Sequence, residues 1–136
     1  MQISELARQA QTAIDSVRHY EKTGLLPAPA RLANGYRNYS PAHLQRLRFI
    51  RRCRLLGIGL SDISRLLSFA AQPQADCCEV DRLIELQIAK VRERIDHLQA
   101  LEQQLSALRQ QCPATMGLSL STSACGILDE LLETSA

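Results

Sequence analysis

The 136-residue chain is the size of one ordinary domain, or of a small domain that carries a long helix. Its net charge of +2 conceals an asymmetry, because residues 1–54 carry +7 and the remainder carries −5. It has no apolar run of about 18 residues and no signal-peptide pattern, so we expect a cytoplasmic protein with no membrane partner and a basic half that binds phosphate.

The cysteine content predicts thiols or metal ligands. Five cysteines, an odd number, do not suit a disulfide framework in a reducing compartment. Cys53 lies among apolar residues of a predicted helix and is expected in the core. The other four lie at the two ends of a long predicted helix and just beyond it.

The first predicted elements are two short helices, residues 4–10 and 12–20, joined by a tight turn. Thr12 followed three residues later by Asp15 has the form of a capping pair at the start of the second helix. This pattern indicates a helix-turn-helix, in which the second helix enters the major groove of DNA.

A small β-hairpin is predicted next, over residues 32–39. Asn34 and Gly35 form the dipeptide that most readily supplies two positive φ angles for a turn. Ser40 and Pro41 then provide an N-cap and a first-turn proline for a helix over 43–56. A further short helix is expected to run from Ser61 to Phe69.

A long helix begins after a polar connector at residues 72–75. Asp76 and Glu79 have capping-box spacing, which places Cys77 and Cys78 in the first turn, where the helix dipole favours thiolate. Apolar residues then recur about every 3.4 positions, which is coiled-coil spacing and predicts a partner helix, most simply from a second copy. These residues are Ile84, Ile88, Val91, Ile95, Leu98, Leu101, Leu105 and Leu108.

Several motifs carry a family resemblance. The segments VRHYEKTGLL at 17–26 and NGYRNY at 34–39 resemble the N-terminal signature of the MerR family of transcriptional regulators. The resemblance continues through 49–54, 60–63 and 125–128, so it covers nearly the whole chain. Within the family the sequence looks most like the cadmium-, lead- and zinc-responsive branch.

The resemblance implies a mainly α fold in three parts. Residues 1–70 would form a winged helix-turn-helix DNA-binding head with a small β-wing. Residues 76–111 would form a dimerisation helix in an antiparallel coiled coil, and 112–136 a metal-binding loop with a short C-terminal helix.

The resemblance implies that the protein regulates transcription and is not an enzyme. A homodimer would bind double-stranded promoter DNA, where RNA polymerase also binds, and act as a repressor without metal. Binding of a divalent soft metal would distort the DNA and activate transcription of metal resistance genes.

Candidate DNA-binding residues lie on the second helix and the wing. Polar residues of the second helix, among them Ser16 and Arg18, are expected to read the groove. The resemblance adds four residues that contact backbone phosphates or brace such contacts: Tyr20, Tyr36, Arg37 and Tyr39. Packing of the Tyr36 and Tyr39 rings inside the wing is an alternative, and His19 is expected to be partly buried.

The candidate metal ligands are cysteines. Cys112 and Cys125 flank a polar loop of twelve residues, longer than is usual in the family, and thiolates suit Pb(II), Cd(II), Zn(II) or Hg(II). The resemblance implies that Cys77 of the partner subunit is the third ligand, and Cys78 is a candidate fourth. Met116 in the loop is expected to pack and not to bind metal.

Other functions fit the sequence less well. A sensor of Cu(I), Ag(I) or Au(I) in the same family should lack Cys77, and an iron–sulfur cluster needs cysteines that lie closer together in one chain. A zinc enzyme is disfavoured because no histidine or glutamate has the spacing of a ligand or base. A purely architectural DNA-binding protein remains an alternative.

Overall fold

The computed structural model describes residues 1–74, 76–111 and 125–133. The chain divides into two compact units, Met1–Gln87 and Ile88–Ala136. The described residues are mostly helical with one two-stranded antiparallel sheet, which confirms the predicted fold class. In chain order the elements are α1 (Ile3–Ala10), α2 (Ile14–Thr23), β1 (Ala30–Arg31), β2 (Arg37–Asn38), α3 (Pro41–Leu55), α4 (Leu60–Ala70), α5 (Cys78–Gln110) and α6 (Gly126–Leu132).

The first unit is organised around one apolar core, to which α1, α2, α3 and α4 each contribute. Removing a large side chain from such a core to leave alanine typically costs about 2–5 kcal/mol of folding free energy. The core therefore fixes the directions in which the exposed faces of these helices point. Its most deeply buried side chains include Leu6, Val17, Leu26, Leu47, Ile50, Ile58 and Ile63.

The turn between α1 and α2 differs from the sequence prediction. The N-cap of α2 is Ala13, and no side chain accepts a capping hydrogen bond there. The Thr12 hydroxyl instead donates to the Ala10 carbonyl oxygen at 3.0 Å, so the predicted pairing of Thr12 with Asp15 is wrong. Gln11 closes α1 in the left-handed region at φ 52°, which turns the chain sharply before Thr12.

The β-wing is a short hairpin with Gly35 at its turn. Ala30 pairs with Asn38 and Arg31 with Arg37. Gly35 has φ +86°, a value that L side chains rarely adopt, and the Asn34 side-chain oxygen accepts the Tyr36 backbone N–H at 3.1 Å. The predicted hairpin is confirmed, but its first strand is Ala30–Arg31, before the predicted bound at residue 32. Of the Asn34-Gly35 pair only Gly35 has a positive φ angle, so the expected turn with two positive φ angles is wrong.

Helix α3 begins where the sequence predicts a cap. Ser40 is its N-cap and Pro41 its first residue. His43 adds a connection that the sequence did not suggest: its Nδ1 accepts the Ser40 backbone N–H at 3.1 Å, and its Nε2 lies 3.0 Å from the Pro27 carbonyl oxygen. This imidazole therefore ties the start of α3 to the segment that leads into the wing.

Helix α5 is the longest described element, at 33 residues. Within the first unit, Leu83 is buried and the Gln87 side-chain amide donates to the Leu56 carbonyl oxygen at 3.2 Å. Further along, its apolar stripe is exposed from Ile88 to Leu105, with values from 38% at Ile88 to 65% at Leu105. Among the described residues, no helix combines the length and apolarity that a membrane crossing requires.

Candidate functional site

One face of α2 presents polar side chains to solvent. Val17 is fully buried, and because successive residues of a helix are turned by about 100°, the next two side chains point outward. Arg18 and His19 are exposed, while Ser16 is half-buried. The expectation that His19 is partly buried is therefore wrong. Tyr20 is partly buried and packs against the core, with its ring centroid 6.2 Å from that of His19.

The wing brings two arginines together. Arg31 and Arg37 are directly opposite each other in the hairpin register, an arrangement that is unfavourable for like charges unless an anion lies between them. The Arg31 guanidinium donates to the Gly35 carbonyl oxygen at 3.0 Å. Tyr36, which precedes Arg37 in the hairpin, is 65% exposed. A cleft of about 380 Å³ is lined by Gln2, Ile3, Arg31, Gly35, Tyr36 and Arg37.

Tyr36 and Tyr39 occupy different environments, although the sequence placed both in the same candidate set. Tyr39 is only 2% exposed, and its hydroxyl donates to the Glu21 carboxylate at 3.1 Å. Burial, followed by this carboxylate, raises the pKa of Tyr39. Because its ring is buried, Tyr39 is placed to support the contact of a neighbouring residue and not to contact a ligand directly.

Glu21 joins α2 to the wing and was missed by the sequence reasoning. One carboxylate oxygen lies 3.6 Å from Arg37 Nε, and the other accepts the Tyr39 hydroxyl hydrogen bond. Arg31 was missed as a site residue as well. Arg31 lies one residue before the predicted hairpin at 32–39, so the predicted bounds left it out, and nothing in the sequence singles out Glu21 within its motif.

The first thiols lie at the start of α5, where Cys77 and Cys78 are both exposed. The Asp76 carboxylate accepts the Cys78 backbone N–H at 3.1 Å, as expected of a cap. The same carboxylate, beside the Cys78 side chain, raises the pKa of that thiol. The prediction that the helix start favours thiolate is therefore wrong for Cys78, whose pKa is raised chiefly by the hydrogen bond to the Asp76 carboxylate.

The other half of the predicted capping box takes a different role. Glu79 lies 3.6 Å from Arg82 on α5 and 4.0 Å from Arg65 on α4. The exposed pair with Arg65 connects α4 to the first turn of α5, whereas the pair with Arg82 lies within α5. Each is worth little by itself, since solvent screens it.

Cys53 and Cys77 line the same apolar cavity of about 430 Å³, between α3, α4 and the start of α5. Cys53 is only 6% exposed, which confirms its predicted core position. Burial raises the pKa of the Cys53 thiol. A buried thiol of this kind is a poor nucleophile and a poor metal ligand, whereas the exposed Cys77 is accessible.

In the second unit, Cys125 is half-buried and is the N-cap of α6. Gly126 follows it, and a Cβ built at that position would collide with the Gln111 carbonyl oxygen at the end of α5. The first residue of α6 therefore lies directly against the end of α5. Cys112 and Met116 lie outside the described residues. Within residues 1–74, 76–111 and 125–133, no three acidic, histidine or cysteine side chains form a metal-sized cluster.

Comparison with known proteins adds two family matches. The model described as MerR HTH family regulatory protein matches residues 1–70. The model described as MerR, DNA binding, matches residues 44–108. The two matches together extend from the head well into α5.

Individual relatives match over almost the full chain. The HTH-type transcriptional regulator ZntR of Escherichia coli (strain K12) is 35% identical over 95% of this chain and 90% of its own length. The mercuric resistance operon regulatory protein of Bacillus cereus is 32% identical over 96% of each chain. The crystal structure of the transcription regulator PbrR691 from Ralstonia metallidurans CH34 in complex with lead(II) is 42% identical, with a TM-score of 0.82, over 96% of this chain and 98% of that one.

Proposed function

Since this chain belongs to the MerR family of helix-turn-helix regulatory proteins, which bind DNA and are not enzymes, we propose that it is a homodimeric transcriptional regulator controlled by a divalent soft metal ion. The observation that carries the DNA half of this proposal is the arginine pair on the wing beside the exposed face of α2. The metal half depends on the cysteines at positions 77, 112 and 125.

In the proposed complex α2 enters the major groove and the wing contacts the flanking phosphates. Arg18 faces the bases because it is exposed on α2, and the half-buried Ser16 contacts them from the edge of the same surface. Arg37 and Tyr36 contact phosphate, and Arg31 joins them, since a phosphate between the two arginines would relieve their repulsion. Tyr20 and Tyr39, which are more deeply buried, brace these contacts from behind.

A homodimer joined by α5 is supported by the exposed apolar stripe of that helix. Ile95 is 48% exposed and Leu98 56%, although side chains of this type stabilise a protein when they are removed from water. Their spacing suits an antiparallel coiled coil with a second copy. We retain residues 1–70, 76–111 and 112–136 as the head, the dimerisation helix and the metal-binding segment of each protomer.

The proposed metal site uses three thiolates: Cys112 and Cys125 from one protomer, and Cys77 of the partner subunit. Cys112 follows Gln111 in the chain and Cys125 precedes Gly126, so the close approach of Gln111 and Gly126 supports a shared site for the two thiols. Cys77 is exposed, as a ligand supplied across an interface must be before assembly.

The donor set fits soft divalent ions, because three thiolates favour Pb(II), Cd(II), Zn(II) or Hg(II) over hard cations. The lead(II) complex of PbrR691 and the name of the Bacillus cereus regulator both describe relatives associated with ions of this group. Cys78 is the weaker candidate for a fourth ligand, since the Asp76 carboxylate favours its protonated form.

Control of transcription would follow from DNA shape. The dimer without metal would hold the promoter as a repressor, and metal-loaded dimers would bend and untwist the same DNA so that RNA polymerase engages both promoter elements. The genes controlled would be metal resistance genes. A cytoplasmic location is part of the same proposal.

The test is in vitro transcription from the promoter adjoining the gene, with reduced protein and buffered Pb(II), Cd(II), Zn(II), Hg(II) or Cu(I). We expect activation by at least one divalent ion and loss of that activation in Cys77→Ser. The matched control is Cys53→Ala, which changes a buried thiol outside the proposed site. Activation by Cu(I) alone would favour the monovalent sensor, and a metal-independent response would leave an architectural DNA-binding protein.

A further inference from the structure

Glu21 is an acidic side chain at the junction of two elements that carry exposed arginines. Its side chain is only 13% exposed, and both carboxylate oxygens are engaged by residues of the wing. A carboxylate close to DNA phosphate is repulsive, so a Glu21 without a role in binding would weaken the complex. We therefore expect Glu21 to contribute to DNA binding in a way that offsets its repulsion of phosphate.

We propose that Glu21 is a positioning residue that directs the Arg37 guanidinium toward a DNA phosphate, an inference that rests on the proposed DNA-binding function. Arg37 is a long side chain that loses rotamer freedom when it binds an anion. An ion pair through Nε, 3.6 Å from Glu21, removes part of this freedom before DNA arrives. With 44% of its side chain exposed, Arg37 keeps a solvent-facing part for phosphate.

Glu21 is itself held from the side of the wing. The Tyr39 hydroxyl donates to its second oxygen at 3.1 Å, and the Tyr39 ring packs edge-on against the His43 ring at 5.4 Å. The Tyr39 backbone N–H donates to the Met1 carbonyl oxygen at 2.8 Å. Because Tyr39 is anchored by two further contacts, with His43 and Met1, the Glu21 carboxylate has little freedom to follow a different Arg37 rotamer.

The same contacts connect the two parts of the DNA-binding surface. Glu21 belongs to α2, which would read bases, whereas Arg37 belongs to β2, which would contact phosphate. Glu21 thereby sets the separation between groove reading and the flanking phosphate contact. A positioning residue at this junction affects binding only through Arg37.

The sign of the effect of Glu21→Gln on DNA affinity distinguishes a positioning role of Glu21 from no role in DNA binding. The variant keeps the shape of the side chain and removes its charge. If Glu21 positions Arg37, DNA affinity falls about three- to tenfold, in the range of couplings between neighbouring residues. The slope of log affinity against log salt also becomes shallower, toward the change of about 1 expected when one phosphate contact is lost. If Glu21 is a bystander, affinity stays the same or rises.

The measurement is fluorescence anisotropy of a labelled duplex carrying the promoter adjoining the gene, at several salt concentrations. Variants are Glu21→Gln, Arg37→Ala and the double variant, in which the effect of Glu21→Gln should nearly vanish. The matched control is Glu5→Gln, which removes the same charge from a carboxylate paired with Arg8 on α1. We expect Glu5→Gln to change affinity less than about twofold.

Each outcome decides between the two proposals. If Arg37→Ala weakens binding but Glu21→Gln does not, the positioning inference fails and the wing contact stands. If Arg37→Ala leaves affinity and salt slope unchanged, the wing contact itself fails. Should Glu21→Gln unfold, Tyr39→Phe removes only the hydroxyl that holds Glu21, and unaltered DNA affinity in that folded variant would overturn the inference.

Discussion

At the scale of single residues, Tyr36 and Tyr39 show which features of the site can be predicted from the sequence and which cannot. The motif assigned both to one set, yet Tyr36 is 65% exposed and Tyr39 only 2%. Alternation in an extended strand places residues three apart on opposite faces, so the difference could have been predicted. The Glu21 contacts could not, because they depend on tertiary packing of α2 against the wing and leave no spacing pattern.

Cys53 supports a prediction about thiol reactivity. It is 6% exposed and burial raises its pKa, so at pH 8 it should react with iodoacetamide much more slowly than the exposed Cys77. Because the folded state favours the neutral Cys53 thiol, its contribution to the free energy of unfolding is complete below the pKa that Cys53 has in the unfolded state. This contribution is lost as the pH rises through the pKa that Cys53 has in the folded state. Mass spectrometry of alkylated peptides against time measures the rates.

The control for the Cys53 prediction is the same alkylation measurement on the denatured protein. In guanidinium chloride, where burial is removed, Cys53 and Cys77 should be alkylated at similar rates. Equal rates in the native protein would show that the helix α3 face bearing Cys53 opens to solvent, and would contradict its assignment to the core.

At the scale of elements, the sequence located the helices and the wing but not all of their end contacts. Apolar spacing predicted α5, capping patterns predicted α2 and α3, and the Asn34-Gly35 turn predicted the hairpin. Thr12 and Glu79 were assigned to caps from spacing alone, and both form other contacts. Short polar side chains have several backbone and ionic partners within reach, and tertiary neighbours such as Arg65 decide among them.

Gly126→Ala tests the close approach of α6 to the end of α5. The added methyl would collide with the Gln111 carbonyl oxygen, which is backbone and cannot rotate away. We expect about 1–3 kcal/mol of strain, relieved by displacement of α6 and of the adjoining Cys125. High-affinity metal binding should weaken by about tenfold or more, measured by competition with a chromophoric chelator.

The matched control for that substitution is Gly59→Ala. Gly59 also lies at the start of a helix, as the N-cap of α4, and a Cβ there meets nothing within 4 Å. Metal affinity should be unchanged in this variant. An effect of Gly126→Ala no larger than that of Gly59→Ala would show that the contact with Gln111 does not hold Cys125 in a binding position.

At the scale of the whole molecule, the sequence predicted a partner that one chain does not contain. The spacing along α5 indicated an unburied apolar stripe, and residues such as Val91 and Leu98 are indeed 45% and 56% exposed. Neither the spacing nor the exposure specifies which cysteines would meet in an assembly. That part of the candidate site came from the family resemblance, because a ligand set shared between protomers leaves no local pattern in the sequence.

Mixing two inactive variants tests whether the metal site is shared. In a heterodimer of Cys77→Ser with Cys112→Ser, one site would take Cys112 and Cys125 from the first variant and Cys77 from the second, and would be intact. The opposite site would lack two thiols. After statistical exchange of protomers, high-affinity metal binding should recover to about a quarter of the wild-type level in a two-fold symmetric dimer, whereas each variant alone should show none. Competition with a chelator before and after co-refolding measures this recovery. A site built from one chain would give no recovery, because Cys112→Ser would inactivate its own protomer and Cys77→Ser the other.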